Sequence, residues 1–209
     1  MIKLNLPQEP PELTAQKARL TAEYREKKKA VWSEGAVGET IKRVLCEMTH
    51  NKCAYSEAPL ETNGSVKHIE HFYPKSIYPE RVVEWGNLLP TCATCNAGKG
   101  KLDVEKTPIV NPLRDDPKDF LYVEGFRYRA CDQKGVGQRT IDVLRLNNLA
   151  QFGVPRFKAA QYNSGGDRAC VAPSRCHCRL PAARRSAATD GGSRTLSPLF
   201  RGDRHPFAL

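Results

Sequence analysis

Residues 66–100 read VKHIEHFYPKSIYPERVVEWGNLLPTCATCNAGKG. Within them stand His68, Glu70, His71, Asn87, the pair Cys92 and Cys95, and Asn96. These side chains hold cations and move protons; they are poor core-fillers. The order Glu-His, then Asn, then Cys-x-x-Cys-Asn is hard to obtain from packing alone. A strand is predicted around 66–71, a proline-bounded loop follows at Pro74 and Pro79, and a helix is predicted to begin near Asn96.

A Cys-x-x-Cys on a tight turn presents two thiolates to one ion, and closed structural zinc sites take four ligands. A partner turn sits upstream at Lys52-Cys53-Ala54-Tyr55-Ser56. A second Cys-x-x-Cys would require cysteine at 56, where the residue is Ser56. Cys53, Cys92 and Cys95 are thus three candidate ligands for a structural Zn²⁺, and the fourth stays open. His50, three residues before Cys53, has a usable spacing; Cys46 and a water are the other options. The competing reading makes these cysteines ordinary small buried residues, against which stand their polar and turn-forming neighbours.

Phosphodiester cleavage needs a cation to neutralise the phosphate and a base titrating near neutrality to activate water. Oxygen ligands suit Mg²⁺ or Mn²⁺. Glu70 can supply a carboxylate, His71 the base, and Asn96 a second, neutral oxygen. In an extended segment residues 68 and 70 share one face and 69 and 71 the other, so a bend at Pro74 is needed for neighbours to converge.

The chain has 209 residues, 33 basic and 23 acidic, for a formal net charge of +10. Mean hydropathy is −0.55 and the pI about 9.3. That balance favours a polyanionic partner such as nucleic acid, with plain solubility as the bland alternative. Eight cysteines (46, 53, 92, 95, 131, 170, 176 and 178) could suggest disulfides. The opening MIKLNLPQEPP lacks the apolar stretch of a secretion signal, so the expected location is the cytoplasm, where closely spaced cysteines favour metal. No apolar run approaches the ~18 residues that span a membrane.

Four segments are expected. Residues 1–49 form a proline-rich arm (1–11) and two scaffold helices, over 12–31 and 40–48. Residues 50–107 hold the chemistry. Residues 108–161 suggest a hairpin at FLYV and FRYRA, then a short helix TIDVLRLNNL capped by Thr140. The composition then changes. Residues 1–161 hold 15 Lys and 10 Arg, whereas 162–209 hold no Lys, 8 Arg, and neither Glu nor Ile. The leading reading of 162–209 is a frame-shifted translation. A disordered basic tail and a nucleic-acid-binding arm are the others. Cys170, Cys176, His177 and Cys178 match no zinc spacing that can be justified.

These motifs resemble those of the HNH endonucleases with a zinc-braced ββα-metal fold, closest to the PtuB nucleases of Septu and retron-associated anti-phage systems. The family pattern runs KCAYCE, EHF-x-PKS, W-x-NLL and CxxCN-xx-KG. Here it stands as Lys52-Cys53-Ala54-Tyr55-Ser56-Glu57, Glu70-His71-Phe72-Tyr73-Pro74-Lys75-Ser76, Trp85-Gly86-Asn87-Leu88-Leu89, and Cys92 to Asn96 with Lys99-Gly100. The resemblance covers about residues 3–150 and departs at Ser56 and after residue 161. It implies an α+β fold, a mainly helical scaffold around a ββα-metal core with a zinc knuckle. It implies His71 as general base, Glu70 and Asn96 on the catalytic ion, and Asn87 orienting the histidine loop. Lys75 and Lys99 would meet phosphates or be solvated surface lysines. His68 would touch the metal or the scissile phosphate, or be a satisfied neighbour. Tyr73 and Trp85 would pack. A PtuA-type ATPase is the implied partner, in some systems with a retron reverse transcriptase and its reverse-transcribed DNA; the substrate would be DNA or, in retron settings, tRNA. The alternative function is a non-catalytic zinc-binding nucleic-acid or adaptor module.

Overall fold

Ten residues without helix or strand open the chain and lead through Pro10 into the first helix, where Pro11 occupies the first helical position that proline tolerates. The computed structural model describes residues 1–28, 35–60 and 67–163. Among these the order is α1 (Pro11–Lys27), α2 (Gly35–Met48), β1 (His68–His71), β2 (Leu88–Thr91), α3 (Ala93–Lys99), β3 (Leu121–Glu124), β4 (Arg127–Ala130), α4 (Val136–Val143) and α5 (Val154–Asn163). The architecture is α+β, with five helices and two two-stranded antiparallel sheets among the described residues.

Several expected boundaries move. The first helix stops at Lys27 rather than 31, because Lys28 turns left-handed (φ 54°) and gives its N–H to the Tyr24 carbonyl. Residues 29–31 of that expected helix lie outside the described residues, as do Val66 of the expected strand, the segment 164–209 and its Cys170–Cys178 cluster. The second helix starts at Gly35, before Thr40, and buries Ile41, Leu45 and Cys46 on one face. The third starts at Ala93, so Asn96 sits one turn inside it rather than at its start. Thr140 is not a cap. The Asp132 carboxylate accepts from the N–H groups of Val136 and Gly137, at 2.9 and 2.8 Å, which starts α4 four residues earlier. Thr140 is buried inside α4, where its hydroxyl donates to the Val136 carbonyl and accepts from the Val110 N–H. The predicted hairpin is present as β3 and β4.

The N-terminal stretch is not helical before Pro11, as its prolines require, but it is not a loose arm. Leu4 is buried and its N–H bonds the Pro112 carbonyl at 2.8 Å; the Trp85 indole N–H bonds the Pro7 carbonyl at 2.7 Å. One apolar cluster runs from Met1 and Leu4 through Cys53, Tyr55, Phe72, Leu89 and Val110 to Ile141 and Phe152. The segments read separately in sequence therefore share a core. A second cluster joins α1 and α2 (Leu13, Leu20, Tyr24, Ile41, Leu45) to Val82, Val83, Trp85 and Leu88. No helix among the described residues is long and apolar enough to cross a membrane.

β1 pairs with β2 antiparallel, with Glu70 opposite Leu89 and His71 opposite Leu88. β2 leads almost directly into α3, whose far end rests on the end of α4. At Gly98 an added Cβ would lie 2.4 Å from the Val143 carbonyl oxygen. Backbone cannot yield as a side chain can. Gly98→Ala is expected to lower stability by about 1–3 kcal/mol, read as a fall in urea midpoint at unchanged slope.

Candidate active site and metal-binding cluster

The turn at Cys53 is built locally. Cys53 N–H bonds the Ala58 carbonyl at 2.8 Å, Glu57 N–H bonds the Cys53 carbonyl at 2.9 Å, and Glu57 takes a left-handed φ of 60°. Ala54 N–H reaches the Pro90 carbonyl, which docks this turn on β2. The ligand sulfurs of Cys53, Cys92 and Cys95 lie within 4.8 Å of one another, all three buried. A tetrahedron of Zn–S bonds of ~2.3 Å puts sulfurs about 3.8 Å apart, so this cluster suits a cation such as zinc. Hydrogen bonds from Cys92 and Cys95 hold the Cys53 thiol far below its ordinary value, while sharing with Cys53 pushes Cys95 up.

Neither side chain offered for the open fourth corner, His50 or Cys46, belongs to the cluster. The ring nitrogens of His50 do not join this group, and His50 is exposed. Cys46 is buried on α2, outside the cluster as well. Ser56 is the neighbour: its hydroxyl oxygen lies 3.8 Å from Cys92 Sγ, and the residue is buried. The knuckle geometry explains this. Position 56 is the third residue after Cys53, the place a second cysteine of a Cys-x-x-Cys would take.

The other half of the site lies across β1. Glu70 and His71 point to opposite faces and both are buried. The His71 Nε2 lies 2.8 Å from the Val82 carbonyl. A carbonyl only accepts, so Nε2 carries the hydrogen and the basic lone pair is on Nδ1. Burial lowers the His71 pKa to about 4, with the Lys75 charge acting in the same direction. The ring is therefore neutral at pH 7, the form that can accept a proton, although its basicity lies below the near-neutral value at which a general base works best. Tyr73 is clamped behind it: Asn87 Oδ1 accepts from Tyr73 N–H at 2.6 Å, and Asn87 Nδ2 donates to the carbonyls of Tyr73 and Arg81 at 3.1 and 2.9 Å. Asn87 thus closes the loop from 72 to 81 on itself. Trp85 and Tyr73 are both buried.

Lys99 is placed where neither expectation put it. It is no solvated lysine: its side chain is fully buried, with Nζ donating to the His71 carbonyl at 2.9 Å and standing 2.5 Å from Glu70 Oε1. The contact with Glu70 is an ion pair without hydrogen-bond directionality, and Oε1 has no other partner. Burial raises the Glu70 pKa, and the Lys99 charge opposes that. Asn96, half-buried, is three residues before Lys99 and on the same face of α3. Lys75 is half-buried with its ammonium 5.8 Å from the Tyr24 ring centroid. His68 is half-buried at the start of β1. Sequence reading missed the Val82 carbonyl, the burial of Lys99, and Tyr55. The Tyr55 ring is wholly buried, and burial pushes its hydroxyl pKa well up, with the charges of Glu70 and Cys53 acting in the same direction. Only its place inside KCAYSE could have signalled this.

The chain is similar to Septu proteins PtuB. One, from Bacillus thuringiensis, is 40% identical over 157 residues, which are 75% of this chain and 59% of that protein. Another, from Bacillus mycoides (strain KBAB4), is 28% identical over 40% of this chain and 38% of its own length. The chain thus spans less than two thirds of either relative. No protein-family model matches it.

Two predictions arise here. Lys99→Met leaves the Glu70 carboxylate buried without its partner and is expected to cost about 3–5 kcal/mol. The Glu70→Gln, Lys99→Met pair should recover much of that loss, as measured by urea unfolding. The second concerns pH. A histidine depressed to about 4 when folded, against an ordinary 6.5, refuses a proton that the unfolded chain accepts. Stability is fully present above about pH 6.5 and falls as pH drops toward 4. At 1.36 kcal/mol per pH unit the loss approaches about 3 kcal/mol. Metal-free His71→Asn should show a shallower loss of melting temperature between pH 7 and 4.5; a slope equal to the parent's would refute the assignment.

Proposed function

We propose that this chain is a divalent-metal-dependent HNH endonuclease that hydrolyses phosphodiester bonds in nucleic acid, acting in an anti-phage system of the Septu kind. The observation that carries the reading is His71. Its ring is buried and neutral, its tautomer is set by the Val82 carbonyl, and it adjoins a buried carboxylate on the same strand. A packing histidine does not call for an adjacent, costly buried Glu70. The strand–strand–helix unit of β1, β2 and α3 is read as the ββα-metal core.

In this reading Nδ1 of His71 takes a proton from the attacking water, and Asn87 keeps the histidine loop in register. Glu70 and Asn96 are hard oxygen donors of the kind Mg²⁺ or Mn²⁺ takes. Such a cation, when bound, supplies charge stabilisation at the phosphate and the leaving oxygen. Lys99 holds the His71 carbonyl and the Glu70 carboxylate in fixed relation. Lys75 and His68, half-buried beside β1, are the groups left to meet phosphate. Zn²⁺ at Cys53, Cys92 and Cys95 braces the start of α3 and so sets Asn96 and Lys99. A PtuA-type ATPase, and in a retron setting a reverse transcriptase with its reverse-transcribed DNA, are the proposed partners. DNA and tRNA are the candidate substrates.

One observation favours the non-catalytic alternative: Glu70 is spent on Lys99, as in a structural ion pair. Incubating the purified chain with plasmid DNA and with total tRNA, with and without Mg²⁺ or Mn²⁺, separates the two. Metal-dependent cutting supports the nuclease. Binding without cutting, under every metal and with the partner ATPase added, supports the adaptor.

A further inference from the structure

Tyr73, two residues beyond His71, carries two guanidinium groups. The Arg81 guanidinium carbon stands 4.0 Å from the Tyr73 ring centroid, and that of Arg114 stands 5.5 Å from it. Arg114 Nη1 also donates to the Tyr73 hydroxyl at 3.1 Å. Tyr78 packs edge-on against Tyr73, with centroids 5.5 Å apart, and lies 5.6 Å from the Arg81 guanidinium carbon. The two guanidinium carbons are therefore at most about 9.5 Å apart, the limit set by their distances to the shared ring.

Two like charges on one ring repel, and a fold normally interposes a carboxylate. Here Glu84 pairs loosely with Arg81, and three other acids have hydrogen-bond donors of their own. Asp103 accepts from the Tyr78 hydroxyl at 2.7 Å and from Glu105 N–H. Asp115 accepts from Asn111 N–H, and Asp116 accepts from Lys118 N–H. Among the described residues Arg81 has one ion pair, a 3.6 Å contact from Nε to Glu84, and its buried Nη1 meets no acceptor. Arg114 is exposed and has no ion pair among the described residues. Guanidinium forks match phosphate geometry and stack on aromatic faces, so this arrangement has the chemistry of an anion site.

Its attachment says which anion. The Asn87 side chain binds the Tyr73 backbone at both N–H and carbonyl, and binds the Arg81 carbonyl as well. The next carbonyl, of Val82, holds His71. Arg81 and Tyr73 thus ride on the closed loop whose next carbonyl holds His71, and Arg114, from a separate segment, reaches that loop through the Tyr73 hydroxyl. We infer that Arg81, Tyr73 and Arg114 form a clamp for a backbone phosphate of the nucleic-acid strand presented to His71. The inference rests on the nuclease reading for its placement, but its binding readout does not depend on cutting.

The test uses the full chain with His71→Ala, no added divalent ion, and a fluorescein-labelled 20-nucleotide single strand read by anisotropy. Adding Arg114→Ala is expected to weaken binding about tenfold and to reduce the log–log salt slope by about 0.7. Arg114→Lys should restore the slope and only part of the affinity, because lysine keeps the charge without the fork. Tyr73→Phe, which keeps the ring and loses the hydroxyl, should give a smaller loss than Arg114→Ala. Unchanged affinity and slope in Arg114→Ala would overturn the clamp. So would displacement of the strand by low-millimolar inorganic phosphate at constant ionic strength, which would mark a site for small phosphates. If the parent chain cuts nothing while Arg114→Ala weakens binding, the nuclease reading fails and the strand clamp stands.

Discussion

His71→Ala is expected to lower metal-dependent cleavage by about 10³-fold, within the 10²–10⁴ that a positioned general base contributes, while nucleic-acid binding changes little. The size follows from the ring's situation. Its Nε2–H is committed to the Val82 carbonyl, so the ring cannot swing and its lone pair has one direction. Burial holds it neutral well below pH 7. No other imidazole is placed in this way among the described residues: His68 is half-buried and His50 is exposed. A gel assay of nicking with Mn²⁺, beside anisotropy with the same strand, separates chemistry from binding. Full cleavage by the mutant would sink the mechanism. Circular dichroism must show the variant folded, since the lost Val82 bond carries a structural cost of about 1 kcal/mol.

The second large effect concerns zinc. The purified chain is expected to carry about one zinc, and stripping it or substituting Cys92→Ala should lower the melting temperature by about 15 °C or more. Structural zinc is worth on the order of 10 kcal/mol in small domains, and each kcal/mol moves the midpoint of a chain this size by about 2–4 °C. The cluster ties three places together: the 53–58 turn, the end of β2 and the start of α3. Ser56→Cys should then raise the melting temperature and slow zinc loss to a chelator, because the Ser56 oxygen already lies 3.8 Å from Cys92 Sγ. His50→Ala should leave zinc content unchanged. A metal-free protein with the same melting temperature as the loaded one would refute the brace.

How far the site could be read in advance differs from residue to residue. The three cysteines were legible because thiolate spacing on turns is a local property, and the structure gathers them. Their fourth neighbour was not assigned. His50 is close in sequence, but the left-handed residues His50 and Asn51 (φ 51° and 54°) turn the chain before Cys53. Lys99 misled for another reason. A lysine before glycine at a helix end reads as a phosphate contact or a solvated surface lysine, and only the packing of α3 against β1 reveals a carboxylate and a carbonyl waiting for it. Thr140 has the chemistry of a cap, yet Asp132 outcompetes it by reaching two N–H groups at once.

The stretch 66–100 by itself determined the donor inventory and its order: a carboxylate beside an imidazole, an asparagine, and a thiolate pair ahead of a helix. Those follow from residue type and short spacing, which no tertiary contact can alter. Tertiary structure alone decided which groups meet. It turned Glu70 onto Lys99, His71 onto the Val82 carbonyl, Ser56 onto the cysteines, and two arginines onto one tyrosine. Such partners come from separate segments, 36 residues apart for Ser56 and Cys92, and burial rather than spacing selects them. A charge removed from water must find its counter-charge inside the same core.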